Sequence, residues 1–199
     1  MQIRLPTEER QAEIVAAALR LARDSSPVTI TTGDIAAAIG ITQGAVFKHF
    51  PTKDAIWLAA MSWVREQLLH RLDEAVRTQV SAVAALDAVF RAHVAFLIAR
   101  PGVPRIIFHE LQQPNDSAVK QEVRALLQPY RQLLLGLFAA GVKTGQLPAA
   151  LDQEAAATLF VGIVQGLVIQ SLLAGRPAAM KSQADGVFAL YLHGIGATP

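Results

Sequence analysis

The sequence predicts an all-α protein with a small helical head, residues 1–54, followed by a larger helical domain, residues 55–199. Two observations support this fold class. Apolar residues recur at helical spacing along most of the chain, and no stretch alternates apolar and polar residues as a half-buried strand does. Helix-capping residues, and glycines and prolines that end helices, separate these periodic stretches.

The first helix is expected to begin at Thr7, which we predict as its capping residue. Glu8 and Glu9 lie in its first turn, where negative charge is favoured. Residues 24–27, two serines between an aspartate and a proline, end it, and residues 1–6 precede it as a loose arm that carries Arg4. Its buried stripe is formed by residues at i, i+4 and i+7: Ile14, Ala18 and Leu21.

A second, short helix is predicted at the start of residues 31–54. Either Thr31 or Thr32 supplies a side-chain oxygen to cap it, and Asp34 stands three residues after Thr31, as in a capping box. Gly40 provides the residue that takes positive φ after a helix end.

A third helix is predicted over Gln43–Phe50, capped by Thr42 and ended by Pro51. Thr52 then caps a fourth helix that opens with Lys53. Two short helices joined by a turn with a central glycine form the helix-turn-helix pattern.

The two faces of the third helix predict its chemistry. Val46 and Phe50 are four residues apart and face the core together. Gln43 can read a base edge, whereas Thr42 can bond a phosphate, and Gly44 lets the helix N-terminus approach the DNA backbone. The alternative interpretation is an ordinary surface helix pair. The residues predicted to face outward are Thr42, Gln43, Gly44, Lys48 and His49.

The charge balance of the head is neutral. Residues 1–54 contain six basic and six acidic residues, and the whole chain carries a net charge of +2. Nucleic-acid binding would therefore require basic and acidic side chains to lie on different faces, with Lys48, His49 and Lys53 toward DNA. We expect modest non-specific affinity for DNA. Arg4 either reaches a phosphate or the minor groove, or makes no contact.

The remaining helices are separated by clear breaks. Residues 101–104, with the sequence PGVP, interrupt the chain, and Gly145 and Gly175 follow predicted helix ends. Pro129 is expected to bend or divide the helix that contains it. The predicted helices cover residues 53–76, 81–100, 105–112, 117–144, 153–173 and 179–193.

The stretch from Ala155 to Gly175 contains 21 residues without a charge, which is long enough to span a membrane. Four polar residues interrupt it, and we expect no second span to accompany it. We therefore favour a helix buried partly in its own domain and partly against a second subunit. Gly162 and Gly166 form a close-approach motif between helices.

The second domain contains the residue types of a small-molecule pocket, namely aromatic walls with a few polar groups. Taken singly, each of these residues is more simply explained as part of the core. The predicted pocket residues are Phe90, His93, Phe96, Phe108, His109, Tyr130, Leu134, Phe138, Phe160 and Gln165.

No catalytic or metal-binding motif is present in the sequence. The chain has no cysteine and five histidines, none of which is spaced as a helical metal pair. We predict no enzyme activity, no metal and no cofactor. The N-terminus has no apolar signal-peptide core, which fits a cytoplasmic protein that does not span a membrane.

The segment from Thr32 to Trp57 resembles the DNA-binding segment of the TetR/AcrR family of bacterial transcription regulators. Four motifs of the family fall in register with this sequence: the D-I-A run, the A-G-[IV]-[ST] turn, the G-x-[VL]-[YF]-x-[HY]-F helix and the K-[DE] start of the next helix. Phe47 stands where the family usually has a tyrosine whose hydroxyl meets a phosphate, and Ile39 replaces a small residue.

The resemblance implies a homodimeric regulator, most simply a repressor, that binds a palindromic double-stranded operator and is released by a small-molecule inducer. An apolar interior favours a hydrophobic inducer. The implied DNA-binding residues are Thr32, Thr42, Gln43, Gly44, Phe47, Lys48, His49 and Lys53. In the family the last two long helices form the dimer interface, which here implies Gly162, Gly166, Ile169, Leu173, Val187, Leu190 and Tyr191. The rival hypothesis is a helical ligand-binding or membrane-associated protein whose head does not read DNA.

Overall fold

The computed structural model describes residues 6–176 and 178–197, and the predicted arm with Arg4 lies outside these residues. The described residues form helices and contain no strand, which confirms the all-α prediction. The helices are α1 (Thr7–Leu21), α2 (Thr32–Ala38), α3 (Gln43–Phe47), α4 (Lys53–Arg77), α5 (Ala82–Ala99), α6 (Gly102–Leu111), α7 (Ala118–Lys143), α8 (Gln153–Leu173) and α9 (Ala179–Gly194).

The start of α1 differs from the prediction. Its capping position is Pro6, which makes no side-chain capping bond, so the prediction of Thr7 as the cap was wrong. Pro6 has extended backbone angles and no N–H to satisfy, and the chain becomes helical immediately after it. Thr7 is therefore the first helical residue rather than the residue before the helix.

One prediction about proline was wrong, and of the two outcomes predicted for Pro129 the structure excludes one. Helix α6 begins at Gly102 rather than at Arg105, because Pro104 lies in its first turn, where the missing N–H needs no intrahelical acceptor. Pro129 lies inside α7 but does not divide it. The loss of one backbone hydrogen bond at Pro129 is tolerated in a helix whose residues Tyr130 and Leu134 are fully buried.

The chain divides into two compact units. Unit 1 comprises the residues up to Glu66 together with Arg100–Arg124, and unit 2 comprises Gln67–Ala99 together with the residues from Ala125 onward. Helices α4 and α7 each contribute to both units. The boundary predicted between residues 54 and 55 separates the head from the larger domain by function, and it stays a prediction.

In unit 1, α6 packs against α1 through Gly102. A Cβ atom at this position would lie 2.3 Å from the carbonyl oxygen of Leu19 and 3.0 Å from the Cβ of Ala22. Only a residue without a side chain permits this approach. Unit 1 therefore holds the helix-turn-helix segment and α6 on one scaffold that includes α1.

Unit 2 is built around a cluster of aromatic side chains. The rings of Phe90 and Phe188 are stacked with centroids 4.5 Å apart, and Phe160 meets both rings edge-on at 6.0 Å. Tyr191 packs against Phe160 and donates its hydroxyl to the carbonyl oxygen of Ala156 at 2.9 Å. Such edge-on and stacked pairs stabilise a core beyond their apolar burial.

Two of the described helices, α5 and α8, are long and apolar enough to cross a membrane by length and composition alone. The expectation that no second such stretch accompanies residues 155–175 was therefore wrong. Both helices supply buried aromatic residues to unit 2, including Phe90 and Phe160. This packing is typical of the central helices of a water-soluble domain.

Candidate nucleic-acid interface

The start of α2 has the capping geometry that the sequence predicts. Thr31 caps α2 by accepting from the backbone N–H of Asp34 at 3.1 Å, while the Asp34 carboxylate accepts from the backbone N–H of Thr31 at 2.8 Å. Hydrogen bonds from the backbone N–H and the hydroxyl of Thr31 lower the pKa of Asp34. The capping residue is thus Thr31, and Thr32 is the first residue of α2.

Helix α2 ends in a Schellman motif centred on Gly40. The φ angle of Gly40 is +69°, its N–H donates to Ala37 at 3.2 Å, and the N–H of Ile41 donates to Ala36 at 3.0 Å. The conformation predicted for Gly40 is therefore confirmed. The side-chain oxygen of Thr42 accepts from the N–H of Ala45 at 3.2 Å and starts α3 directly after the turn.

Helix α3 ends at Phe47, so the prediction that it continues to Phe50 was wrong; Pro51 has no N–H to bond the carbonyl oxygen of Phe47. The segment formed by α3 and residues 48–50 has one buried side and one exposed side. Val46 is fully buried and Phe50 nearly so, as their spacing predicts. Phe47 is 47% exposed, so a role confined to core packing is excluded for it. Among the predicted DNA-binding residues of this segment, the exposed ones are Thr42, Gln43, Gly44, Phe47 and Lys48.

His49 lies at the edge of this surface and is half-buried. Its backbone oxygen accepts from the side-chain amide of Gln11 on α1 at 3.4 Å. Within the described residues, its buried Nδ1 atom has no hydrogen-bond partner. A buried polar atom without a partner is destabilising. The ring is only partly exposed, although the sequence predicts that His49 faces outward.

The predicted residues Thr32 and Gln43 contact each other. Nε2 of Gln43 donates to the hydroxyl oxygen of Thr32 at 2.7 Å. Thr32 is only 7% exposed, whereas Gln43 is exposed at the start of α3. The position of Thr32 therefore favours contact with Gln43 over the direct DNA contact that the family resemblance implies.

The predicted residue Lys53 is engaged by the protein itself. Its ammonium donates to the carbonyl oxygens of Pro27, Val28 and Ile30 at 3.2, 2.9 and 3.1 Å. These three bonds use the three donors of the ammonium group. The DNA contact implied for Lys53 stays a prediction, and its three observed bonds close the loop before α2.

Sequence reasoning did not foresee either of these contacts. The carbonyl oxygens that hold Lys53 belong to the backbone, and any residue would supply them, so they leave no mark in the sequence. The partners Thr32 and Gln43 are eleven positions apart and belong to different helices.

The structure does not bring all ten predicted pocket residues together. Six are buried in unit 2: Phe90, Phe96, Tyr130, Leu134, Phe138 and Phe160. Gln165 is exposed on α8, so the prediction that it faces a buried pocket was wrong. Phe108 and His109 belong to α6 in unit 1, where His109 lines a cleft of about 570 Å³ beside the start of α4.

His93 supplies a polar group next to the buried set. Its Nδ1 atom lies 3.1 Å from the hydroxyl of Tyr130, and the two rings meet edge-on. Burial lowers the pKa of His93 to about 4 and raises the pKa of Tyr130 well above its ordinary value. Both side chains are therefore neutral near pH 7, which leaves the interior of unit 2 uncharged at this pair.

Most of the predicted dimer residues lie on the outer face of α8 and α9. Gly162 and Gly166 are exposed with open space above them, and Val187 is half-buried. A shallow groove of about 920 Å³ is lined by Gly166, Val187, Leu190 and neighbouring residues. Tyr191 is buried inside unit 2 by its bond to Ala156, so its assignment to the interface was wrong.

Both parts of the chain match models of known protein families. Residues 14–60 match the family model described as bacterial regulatory proteins, tetR family. Residues 64–194 match the model described as YsiA-like protein, C-terminal region. The first match contains the helix-turn-helix segment, and the second covers more than half of the chain.

Individual relatives are distant but extend over nearly the whole length. The Fatty acid metabolism regulator protein of Bacillus subtilis (strain 168) is 21% identical over 183 residues, or 92% of this chain and 94% of its own. A crystal structure of FadR from Bacillus subtilis in complex with stearoyl-CoA has a TM-score of 0.80 at 21% identity, covering 92% of this chain and 98% of that one.

A second solved structure, FadR from Bacillus halodurans, has a TM-score of 0.83 at 18% identity and covers 99% of this chain and 100% of its own. At these identities the solved structures support the fold, while the family models cover both units in sequence. The chain therefore belongs to the TetR family of bacterial transcription regulators, with a C-terminal region of the YsiA-like type.

Proposed function

We propose that this regulator is a homodimeric repressor that binds a palindromic operator through α3 and is released by a small hydrophobic ligand bound in unit 2. The DNA-binding part of this proposal rests on the geometry of α3. Val46 on α3 and Phe50 just after it are buried, while Gln43 and Gly44 at the start of this short helix and Lys48 directly after its end are exposed.

The proposed DNA contacts follow from the side chains on that face. Gln43 reads a base edge, Thr42 bonds a phosphate, and Lys48 and His49 lie beside the groove. The absence of a side chain at Gly44 supports a close approach of the helix N-terminus to the DNA backbone. Phe47 cannot donate a hydrogen bond, so its exposed ring would contribute only apolar contact.

The proposed dimer rests on the exposed apolar face of α8 and α9. Leu173 and Leu190 are 78% and 74% exposed, and Ile169 is 45% exposed. Leaving large apolar side chains in water forgoes the free energy of burying them, so a face of this kind indicates a partner surface. A second copy of the chain fits, because two recognition helices related by a two-fold axis match a palindromic operator.

For the ligand we propose a long-chain acyl thioester as the first class to test. The support is indirect: a relative with the same fold has been solved with stearoyl-CoA. The interior of unit 2 is rich in aromatic and aliphatic side chains, with the neutral pair His93 and Tyr130 as a polar contact. An apolar chain would find matching surroundings there.

The test is a titration of the purified protein against the DNA immediately upstream of its own gene, at several salt concentrations and with scrambled competitor. A specific, salt-sensitive complex with two subunits per site, dissociated by added stearoyl-CoA, is expected. Failure to prefer this DNA over scrambled sequence at low salt would favour the rival hypothesis, in which the head does not read DNA. A stable complex unaffected by stearoyl-CoA would contradict the proposed ligand class alone.

Base reading by Gln43 has its own test. Replacement Gln43→Ala should relax the preference at one or two base pairs while leaving affinity for scrambled DNA unchanged. Equal losses on specific and scrambled DNA would contradict the base-reading role.

A further inference from the structure

The hydrogen bond between Gln43 and Thr32 joins the first residue of α3 to the first residue of α2. Thr32 is held in place by the capping box of Thr31 and Asp34, and its side chain is buried. Its hydroxyl oxygen therefore offers Gln43 an acceptor at a fixed position, 2.7 Å from Nε2. An exposed glutamine would otherwise sample several rotamers.

This bond leaves a defined set of hydrogen-bonding groups on the exposed part of Gln43. A side-chain amide has two N–H donors and one carbonyl acceptor. One donor is bound to Thr32, and the second donor and the carbonyl oxygen make no hydrogen bond within the part of the chain that the structure describes. One donor beside one acceptor matches the N7 acceptor and the N6 amino donor that adenine presents in the major groove.

We propose that Thr32 is a positioning residue for base recognition, and that it orients Gln43 to read an adenine. The inference rests on the proposed function, because it concerns the same helix and the same operator. Thr32 acts through Gln43 and does not touch the base. Loss of the Thr32 hydroxyl frees the amide, so discrimination at one base pair is lost while the phosphate contacts of the head persist.

The experiment begins with selection of preferred sites from random double-stranded DNA by the wild-type protein and by Thr32→Val, Thr32→Ser and Gln43→Ala. Affinities for the selected site, for its single-base variants and for scrambled DNA are then measured by fluorescence anisotropy. The position relaxed by Gln43→Ala should carry adenine, with about tenfold discrimination in the wild type.

Thr32→Val removes the hydroxyl at nearly constant volume, and it should abolish this discrimination while changing affinity for scrambled DNA less than twofold. Thr32→Ser retains the hydroxyl and should therefore keep the preference for adenine. If Thr32 had only a structural role, this preference would not depend on the hydroxyl. Unchanged discrimination in Thr32→Val, or a preferred base other than adenine, would overturn the inference while leaving the DNA-binding function intact. Absence of any selected sequence for the wild type would overturn both.

A second measurement does not depend on the folding of a Thr32 variant. Replacing the adenine at that position by 7-deazaadenine removes the N7 acceptor from the DNA itself. The wild type should lose about tenfold in affinity on this substitution, and Gln43→Ala should lose none. An equal loss in both proteins, or no loss in the wild type, would overturn the assignment of adenine to Gln43.

Discussion

The ammonium of Lys53 lies 2.9 Å from the carbonyl oxygen of Val28, at the centre of three carbonyl oxygens that close the loop before α2. The first residue of α4 thereby holds the segment that leads into the helix-turn-helix. This segment leads directly into Thr31 and Thr32 at the start of α2.

Replacing Lys53 by methionine should lower the free energy of unfolding by about 1.5–3 kcal/mol, because hydrogen bonds to a charged group are lost while the aliphatic stem is kept. Urea denaturation measures the change. Lys48→Met is the matched control, since Lys48 is exposed directly after α3, and it should change stability by no more than about 0.5 kcal/mol. An unchanged midpoint for Lys53→Met, with weaker binding to all DNA sequences alike, would instead favour the phosphate contact.

Gly102→Ala should destabilise unit 1 by about 1–3 kcal/mol, because the added methyl group would overlap the Leu19 carbonyl oxygen and force α6 away from α1. Gly136→Ala is the control, since Gly136 lies within α7 with open space where the added methyl group would lie, and it should gain about 0.5–1 kcal/mol from helix propensity. Thermal unfolding by circular dichroism distinguishes the two. Equal effects at both positions would contradict the close packing of α6 on α1.

Leu190→Glu should convert the proposed dimer to a monomer, because it places a charge in the middle of the exposed apolar face that also contains Ile169 and Leu173. Light scattering after size-exclusion chromatography gives the mass. Val80→Glu is the control, since Val80 is fully exposed outside α8 and α9 and its replacement should leave the mass unchanged. A dimer that persists in Leu190→Glu would exclude this face as the main interface.

Stability should fall as the pH is lowered from about 6.5 toward 4, because of His93. The pKa of His93 is about 4 in the folded chain and 6.5 in an unfolded one. Between these values the unfolded state binds a proton that the folded state does not, so acidification favours unfolding by at most about 1.4 kcal/mol per pH unit.

The pH dependence is measured by urea denaturation between pH 7 and pH 4. His93→Gln removes the titrating ring and should flatten the slope, whereas His70→Gln on the exposed side of α4 should leave it unchanged. The same slope in wild type and His93→Gln would show that other groups cause the loss of stability.

Local sequence was sufficient for the order of the helices and for which residues around α3 face inward or outward, but not for where α1, α3 and α6 begin or end. The capping box at Thr31 and Asp34, the positive φ of Gly40, and the burial of Val46 and Phe50 all involve residues within a few positions of one another. Their physical causes are local hydrogen bonding and helical periodicity, which a sequence displays directly. The family pattern spans the same short segment.

The tertiary structure decided which partners these residues meet. Lys53 binds carbonyl oxygens more than twenty residues away, and the Tyr191 hydroxyl bonds a carbonyl oxygen thirty-five residues away, which removes it from the surface. Thr32 and Gln43 come together only because the turn at Gly40 brings two helix starts side by side. Backbone acceptors and contacts between distant helices have no periodic signature, because their geometry is set by how the helices pack and not by spacing along the chain.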